Sequence, residues 1–239
     1  MDNMISNAMQ RFYQMTKTEA VIEINGRKYK QHGYEAVAEP TVPQLNTHTL
    51  QGIVDCCRAE HFEPTDIDCH IYIVSPTQVV LQSEAFGPFL QRHVFIKADA
   101  YVTDFQFDRD HDTEEFIIAL NSQFQPNEDR INLVKLCSSI TKETAGTVTD
   151  DGVAQKLEVR SGVSMRNKVA VQNPFTLIPF RTFPEIEQPE SDFIFRVKDT
   201  GRDIRCALYQ ADGSKWKITA INRIKAFFKE ALPDIPVIA

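Results

Sequence analysis

The sequence predicts an α+β protein whose sheets are mostly antiparallel. Strand patterns and helix patterns each cluster along the chain instead of alternating, which is untypical of a parallel α/β fold. Near residue 146 the spacing of the hydrophobic residues changes from about four to two, as expected where helices give way to strands. A predicted helix–turn–helix pair in the middle of the chain and an amphipathic helix at its C-terminal end complete the pattern.

The sequence of residues 1–45 predicts an N-terminal domain that consists of one helix and one β-hairpin. Over residues 3–16 the hydrophobic side chains recur at helical spacing. Asn25 and Gly26 separate two β-rich runs, and they are the residues that a type I′ turn favours. Residues 46–239 are predicted to form the main α+β domain, either separate from residues 1–45 or continuous with them.

The beginning of the main domain predicts a short helix and three strands. Thr47 or Thr49 is placed to cap the helix, since a threonine oxygen accepts a hydrogen bond from the free N–H groups of a first turn. Pro76 fixes a turn, so a strand is predicted on either side of it. Residues 93–102 are again β-rich and predict the third strand.

Two consecutive helices are predicted in the middle of the chain. Asp112 lies three residues before Glu115, which is the spacing of a capping box, and Pro126 ends the helix that begins there. A second helix is predicted over 128–140. The acidic residues around Asp112 are thereby explained as groups that stabilise a helix start.

The C-terminal part of the chain predicts a series of strands and one helix. Alternating hydrophobic residues predict strands over 153–160, 193–197 and 204–208, and the run at 175–180, which is apolar on both faces, predicts a buried strand. After a turn at 212–214, an amphipathic helix is predicted from helically spaced Ile218, Ile221, Ile224, Phe228 and Leu232. Residues 146–180 are predicted either to pack within the chain or to reach a neighbouring subunit as an arm.

Charge and targeting signals restrict the class of protein. The chain has 26 basic and 33 acidic residues and a formal net charge of -7, so nucleic acid is not an expected partner. Neither an export signal nor an apolar run long enough to span a membrane is present. We therefore expect a cytoplasmic protein with free cysteines and without a membrane partner.

Catalytic signatures are missing from the sequence. It has no G-x-S-x-G nucleophile turn, no phosphate-binding P-loop and no dinucleotide-binding glycine motif. We therefore expect a protein that is not an enzyme and that needs no cofactor. One alternative remains open, in which carboxylates in the segment 108–115, with Asp108, Asp110 and His111 as the ligands, hold a divalent metal for hydrolysis.

The most unusual segment spans residues 172–196 and reads QNPFTLIPFRTFPEIEQPESDFIFR. Its four prolines remove backbone donors, so it combines edge or bulged strand pieces with a stiff loop. Aromatic and arginine side chains held on such a loop suit a subunit interface or an anionic ligand. The predicted binding or interface residues of this segment, with the single tryptophan of the chain, are Arg181, Phe183, Gln188, Arg196 and Trp216.

Five sequence runs carry a resemblance that covers the chain from about Leu50 to the C-terminus. They are VSPTQVVL at 74–81, FIIALNSQF at 116–124, DDGVAQ at 150–155, PFRTFPEIEQPESDFIFR at 179–196 and ALYQADGSKW at 207–216. The chain resembles an uncharacterised bacteriophage and prophage protein family related to the YfdQ-like domain of unknown function. The resemblance implies a viral or prophage origin and the cytoplasm of a bacterial host, and it brings no catalytic residues.

Three functional hypotheses follow from these observations. In the first, a phage-encoded, non-enzymatic protein assembles into a homo-oligomer and acts by binding. In the second, the protein sequesters a host nucleotide signal to counter antiviral defence, with arginine and tryptophan side chains contacting this small anionic ligand. In the third, it is the metal-dependent hydrolase described above.

Overall fold

The structure is a computed structural model, and its helices and sheets confirm the predicted α+β class. It describes residues 43–59, 68–87, 90–140, 171–200 and 202–239 with their side chains. It also describes the backbone of the strands at 21–24, 27–30, 149–150, 155–161 and 165–170. The helix predicted over residues 3–16 lies outside the described residues.

The chain divides into two compact units. One consists of Met1–Pro43 with Ala85–His93, and the other of Gln44–Glu84 with Val94–Ala239. The predicted domains, residues 1–45 and 46–239, stay a prediction.

The predicted hairpin of the first unit is present. Strand β1 (Val21–Ile24) pairs antiparallel with β2 (Arg27–Lys30). Ile24 lies opposite Arg27, which is the register expected for strands separated by two residues, and the predicted Asn-Gly turn itself lies outside the described residues.

The second unit contains the other described elements. Its helices are α1 (Leu50–Arg58), α2 (Thr113–Gln123), α3 (Glu128–Ser139) and α4 (Lys215–Ala231). None of these four helices combines the length and the apolar character that a membrane crossing requires. The strands are β3 (Leu45–Thr47), β4 (Cys69–Ser75), β5 (Gln78–Ser83), β6 (Val94–Asp99), β7 (His111–Asp112), β8 (Thr149–Asp150), β9 (Gln155–Ser161), β10 (Met165–Ala170), β11 (Phe175–Leu177), β12 (Ser191–Asp199), β13 (Ile204–Gln210) and β14 (Val237–Ile238).

A five-stranded sheet in the order β14-β4-β5-β6-β3 forms the first core. Strands β4, β5 and β6 are antiparallel, whereas β14 and β3 pair in parallel with their neighbours. Along these strands, alternate residues face the same side of the sheet, as expected when hydrophobic residues recur at every second position. Helices α1 and α4 supply the other half of this core, and the members from sheet and helices include Ile71, Ile73, Val79, Leu81, Ile53, Ile224 and Phe228.

A four-stranded antiparallel sheet in the order β11-β12-β13-β7 forms the second core. Helices α2 and α3 pack against it through Phe116, Leu120, Phe124, Leu133 and Cys137. The sheet contributes alternate residues, among them Phe193, Phe195, Val197 and Leu208. Strands β10, β9 and β8 pair antiparallel in that order as a separate three-stranded sheet.

The helix starts follow the predicted capping chemistry. Thr49 caps α1, its hydroxyl accepting from the N–H of Gly52 at 3.1 Å. Asp112 caps α2 and accepts from the N–H of Glu114 at 2.9 Å. These side chains satisfy N–H groups that a first helical turn leaves free, so the local sequence determines where the helices begin.

Side chains at the start of α3 cover the outer edge of β11. Asn127 Oδ1 accepts from the N–H of Arg130 at 2.8 Å, and its Nδ2 donates to the carbonyl of Thr176 at 2.7 Å. Asp129 accepts from the N–H of the same Thr176 at 2.7 Å. Both backbone groups of an edge-strand residue are thus satisfied by one helix, which fixes α3 against the sheet.

We expect Asn127→Ala to lower the free energy of unfolding by about 2 kcal/mol, because it removes a helix cap and a buried hydrogen bond together. Urea unfolding measures this loss. The matched control is Asn121→Ala, since Asn121 lies on an exposed face of α2 and its side chain donates to the carbonyl of Ile117 within the same helix. Equal stability of the two variants would contradict this account of the α3–β11 junction.

Candidate functional site

The connection between β11 and β12 joins the two cores. Phe175 and Leu177, just before it, lie in the core of the four-stranded sheet, whereas Phe183 and Ile186, within it, lie in the core of the five-stranded sheet. The prolines of this connection have no N–H group, which reduces the number of backbone donors that need a partner in a buried loop.

Gln188 organises the backbone of the connection. Only 4% of the residue is exposed. Its Oε1 accepts from the N–H groups of Arg181 and Thr182 at 3.0 and 3.2 Å, while its Nε2 donates to the carbonyl of Phe183 at 2.9 Å. An amide suits this position because it carries an acceptor and two donors in one side chain.

Thr182 attaches the connection to the five-stranded sheet. Its hydroxyl donates to the carbonyl of Pro76, in the turn between β4 and β5, at 2.5 Å. Both Thr182 and Phe183 are almost fully buried, so the connection lies against that sheet as part of its packing.

Arg181 is a buried cation at this junction, with 6% of the residue exposed. Its Cζ lies 4.0 Å from the centroid of the Trp216 ring, within cation–π distance. Nη2 donates to Ser191 Oγ and, at 3.5 Å, to the carbonyl of Pro189. Nε and Nη1 are buried and have no hydrogen-bond partner among the described residues.

Asp212 connects this cation to the start of α4. Its Oδ2 accepts from Ser191 Oγ at 2.6 Å and from the N–H of Trp216 at 3.3 Å, and its Oδ1 accepts from the N–H of Ser214 at 3.0 Å. Ser214, the residue before α4, supplies no side-chain cap of its own. Asp212 therefore caps the helix and, through Ser191, balances part of the arginine charge. We call Arg181, Ser191, Asp212 and Trp216 the Arg181 cluster.

The surroundings shift two pKa values in the cluster. Burial lowers the pKa of Arg181 to about 10, and the negative charge of Asp212 opposes this shift. Arg181 therefore still carries its charge at neutral pH. Burial favours a higher pKa for Asp212, but hydrogen bonds from Ser191, Ser214 and Trp216 and the charge of Arg181 together lower it.

The first turn of α4 is cationic. It begins Lys215-Trp216-Lys217 and contains no acidic residue, although the N-terminal end of a helix already carries positive charge. Lys217 Nζ lies 6.0 Å from the centroid of the Trp216 ring. The indole Nε1 is buried and has no hydrogen-bond partner within the described part of the chain.

The groups of the cluster are suited to binding rather than to bond breaking. Guanidinium and indole groups donate hydrogen bonds but do not exchange protons near neutral pH. The hydroxyl of Ser191, the nearest nucleophile, is buried between Arg181 and Asp212 and bonded to both. The unpartnered atoms are all donors, so the group that would complete the cluster is an acceptor, and the buried cation favours an anion.

The structure brings three of the five predicted site residues together. Arg181 contacts Trp216 directly, and Gln188 fixes the backbone of Arg181. Phe183 is fully buried in the core of the five-stranded sheet, so it packs there and does not reach the surface of the chain. Arg196 lies half-buried on the face of β12 opposite to Phe193, the ring of which is 5.9 Å from Arg181.

Sequence reasoning missed Ser191 and Asp212. The sequence predicts only a turn at 212–214, although an aspartate three residues before the first residue of a helix that lacks a capping side chain is a signal for a cap. For Ser191 no local signal exists, because its role depends on the meeting of β12 with the β13–α4 turn.

The residues proposed as metal ligands have other partners. Asp110 forms an ion pair with Lys198 at 2.9 Å. Asp108 lies beside the free edge of β13 and accepts from the N–H of Gln210 at 3.2 Å, and His111 Nε2 bonds to the carbonyl of Gln106 at 2.7 Å. Throughout the described ranges, no three His, Cys, Asp or Glu side chains are grouped as metal ligands.

Comparison of the chain with protein-family models, with curated proteins and with solved structures finds no match in any of the three. The resemblance to phage and prophage proteins therefore stays a prediction. The functional conclusion depends on the geometry of the Arg181 cluster itself.

We expect Gln188→Leu to lower the free energy of unfolding by about 3 kcal/mol, because a leucine of similar size removes the acceptor of two buried N–H groups, those of Arg181 and Thr182. Urea unfolding measures the loss. Gln172→Leu is the control, since Gln172 lies in the same proline-rich segment but is exposed. If both variants unfold alike, the amide of Gln188 does not organise the connection.

Proposed function

We propose that the protein is a non-enzymatic binding protein that captures a small anionic ligand at the Arg181 cluster. One observation carries this proposal: Arg181 is 6% exposed, yet two of its three guanidinium nitrogens have no partner in the described structure. A bound anion would neutralise the buried charge and accept from these nitrogens.

A purely structural role accounts less well for the same contacts. A structural arginine in a buried site normally uses most of its five N–H donors, because each buried donor without a partner costs about 1–3 kcal/mol. The cation–π contact with Trp216 contributes about 2 kcal/mol when desolvated, but it satisfies none of the N–H groups. The Arg181 cluster therefore has buried hydrogen-bond donors that no described contact within the fold uses.

The other hypotheses have less support from the described residues. Self-assembly stays a prediction, since Phe183 is used in a core and the β11 edge is occupied at Thr176 by side chains of α3. The hydrolase alternative lacks a grouped set of ligands within the same residues. The proposed capture of an anion is consistent with the nucleotide-sequestering hypothesis, in which the ligand is also a small anion. Because the chain resembles phage and prophage proteins, we also propose that it is encoded by a phage and acts in the bacterial cytoplasm.

A titration followed by tryptophan fluorescence tests the proposal, because Trp216 is the only tryptophan of the chain. The probes are methyl phosphate, methyl sulfate and acetate. We expect at least one of them to change the Trp216 emission saturably, and Arg181→Met to weaken that binding at least about tenfold, since a charge-assisted hydrogen bond contributes about 1.5–3 kcal/mol.

The control variant is Arg196→Met, which removes an arginine from the other face of β12. It is expected to bind the probes as the unmodified protein does. Arg181→Lys, which keeps the charge with fewer donors, is measured as well in case the methionine variant does not fold. The proposal fails if no probe changes the emission, or if the folded Arg181 variants bind like the unmodified protein.

A further inference from the structure

The surroundings of Trp216 carry more positive than negative charge. Arg181 and Lys217 lie 4.0 and 6.0 Å from the centroid of its ring, and Lys215 precedes it in the first turn of α4. Asp212 is the one carboxylate that forms hydrogen bonds within the cluster. Three cations and one carboxylate leave a net charge of two, so a ligand with two negative charges would balance the site.

The backbone at the start of α4 is already satisfied. The N–H groups of Ser214 and Trp216 donate to the carboxylate of Asp212, and that of Lys215 donates to the Asp212 carbonyl at 3.1 Å. The N–H of Lys217 donates to the carbonyl of Ser214 at 3.0 Å. A ligand at this place is therefore held by side chains, and the site differs from an anion site made of free helical N–H groups.

From the charge balance and the free donors we infer that the captured anion is a phosphate monoester, bound as its dianion. This inference rests on the proposed function. The unpartnered donors are Arg181 Nε, Arg181 Nη1 and Trp216 Nε1, which are three separate donor nitrogens. A phosphate monoester presents three terminal oxygens and carries close to two negative charges above its second pKa of about 6. A carboxylate offers two oxygens and one charge, and a sulfate monoester offers three oxygens but one charge.

Trp216 reports on binding because it carries one of the free donors. Its ring lies against the Arg181 guanidinium, and the residue itself is only half-buried at the helix start. A phosphate group that accepts from Trp216 Nε1 lies in contact with the indole, so binding is expected to change the Trp216 emission.

The experiment compares methyl phosphate with methyl sulfate, which have nearly the same shape and differ by one charge. Both are titrated into the full-length protein at about pH 7.5 and again at about pH 5, where the phosphate monoester is mostly a monoanion. At the higher pH we expect methyl phosphate to bind at least about tenfold more tightly than methyl sulfate, since one additional charge near three cations contributes more than about 1 kcal/mol. At the lower pH the preference is expected to disappear.

Two double variants test which lysines of α4 produce the preference for methyl phosphate over methyl sulfate. Lys215→Met with Lys217→Met removes the two exposed cations of the first turn, and we expect the phosphate preference to fall at least about threefold. Lys225→Met with Lys229→Met removes the same charge farther along α4 and is expected to leave the preference unchanged. Both pairs keep the buried face of the helix intact.

The outcomes separate this inference from the proposed function. If both esters bind equally at the higher pH, and Arg181→Met weakens both, the site captures anions but does not select a dianion, and the inference is wrong. An equal loss of preference in the two lysine pairs also contradicts it. If neither ester binds but acetate does, only the inference is wrong, and if none of the three probes binds, the proposed function fails as well.

Discussion

The buried guanidinium of Arg181 is the interaction on which the junction of the two cores depends. The connection that carries it leaves the four-stranded sheet and enters the core of the five-stranded sheet, while α4 leaves β13 and packs on that same core. Arg181 contacts Trp216 at the start of α4, and Ser191 and Asp212 complete the link. A cation in this place is costly to bury unless its donors are satisfied, and the described residues satisfy only one of its three nitrogens. The same side chain thus joins the two cores and keeps two buried donor nitrogens without a partner among the described residues.

Other residues of the chain occupy parts of both edges of the four-stranded sheet. Asn127 and Asp129 satisfy Thr176 on β11, and Asp108 satisfies part of the opposite edge by donating its N–H to the carbonyl of Leu208 and accepting from the N–H of Gln210. Edges occupied in this way are poor templates for an added strand. The described contacts therefore favour recognition at the connection and the helix start over recognition through the sheet.

Local features of the fold were predictable, and long-range contacts were not. The pairing of β1 with β2, the Asp112 cap and the alternation of β12 depend on residues close together in the sequence, so the sequence predicts them correctly. The segment around Arg181 stood out through its prolines and aromatic residues. Which of its side chains meet depends on how two sheets pack, so the burial of Phe183 and the separation of Arg196 from Arg181 were not predictable.

The acidic segment 108–115 likewise shows that a local feature was predictable and that a long-range contact was not. The sequence explained Asp112 as a helix cap, and the structure confirms it. Asp108 was a candidate metal ligand, but it has a φ of 62° and its carboxylate bonds to the backbone of β13. That contact depends on strand pairing, which the spacing of carboxylates along the chain does not determine.

The most direct measurement for the central claim is a high-resolution crystal structure of the protein with methyl phosphate. We predict density for the phosphate within hydrogen-bond distance of Arg181 Nε or Nη1 and of Trp216 Nε1. Ordered waters on both arginine nitrogens, with no phosphate at the cluster, would contradict the claim.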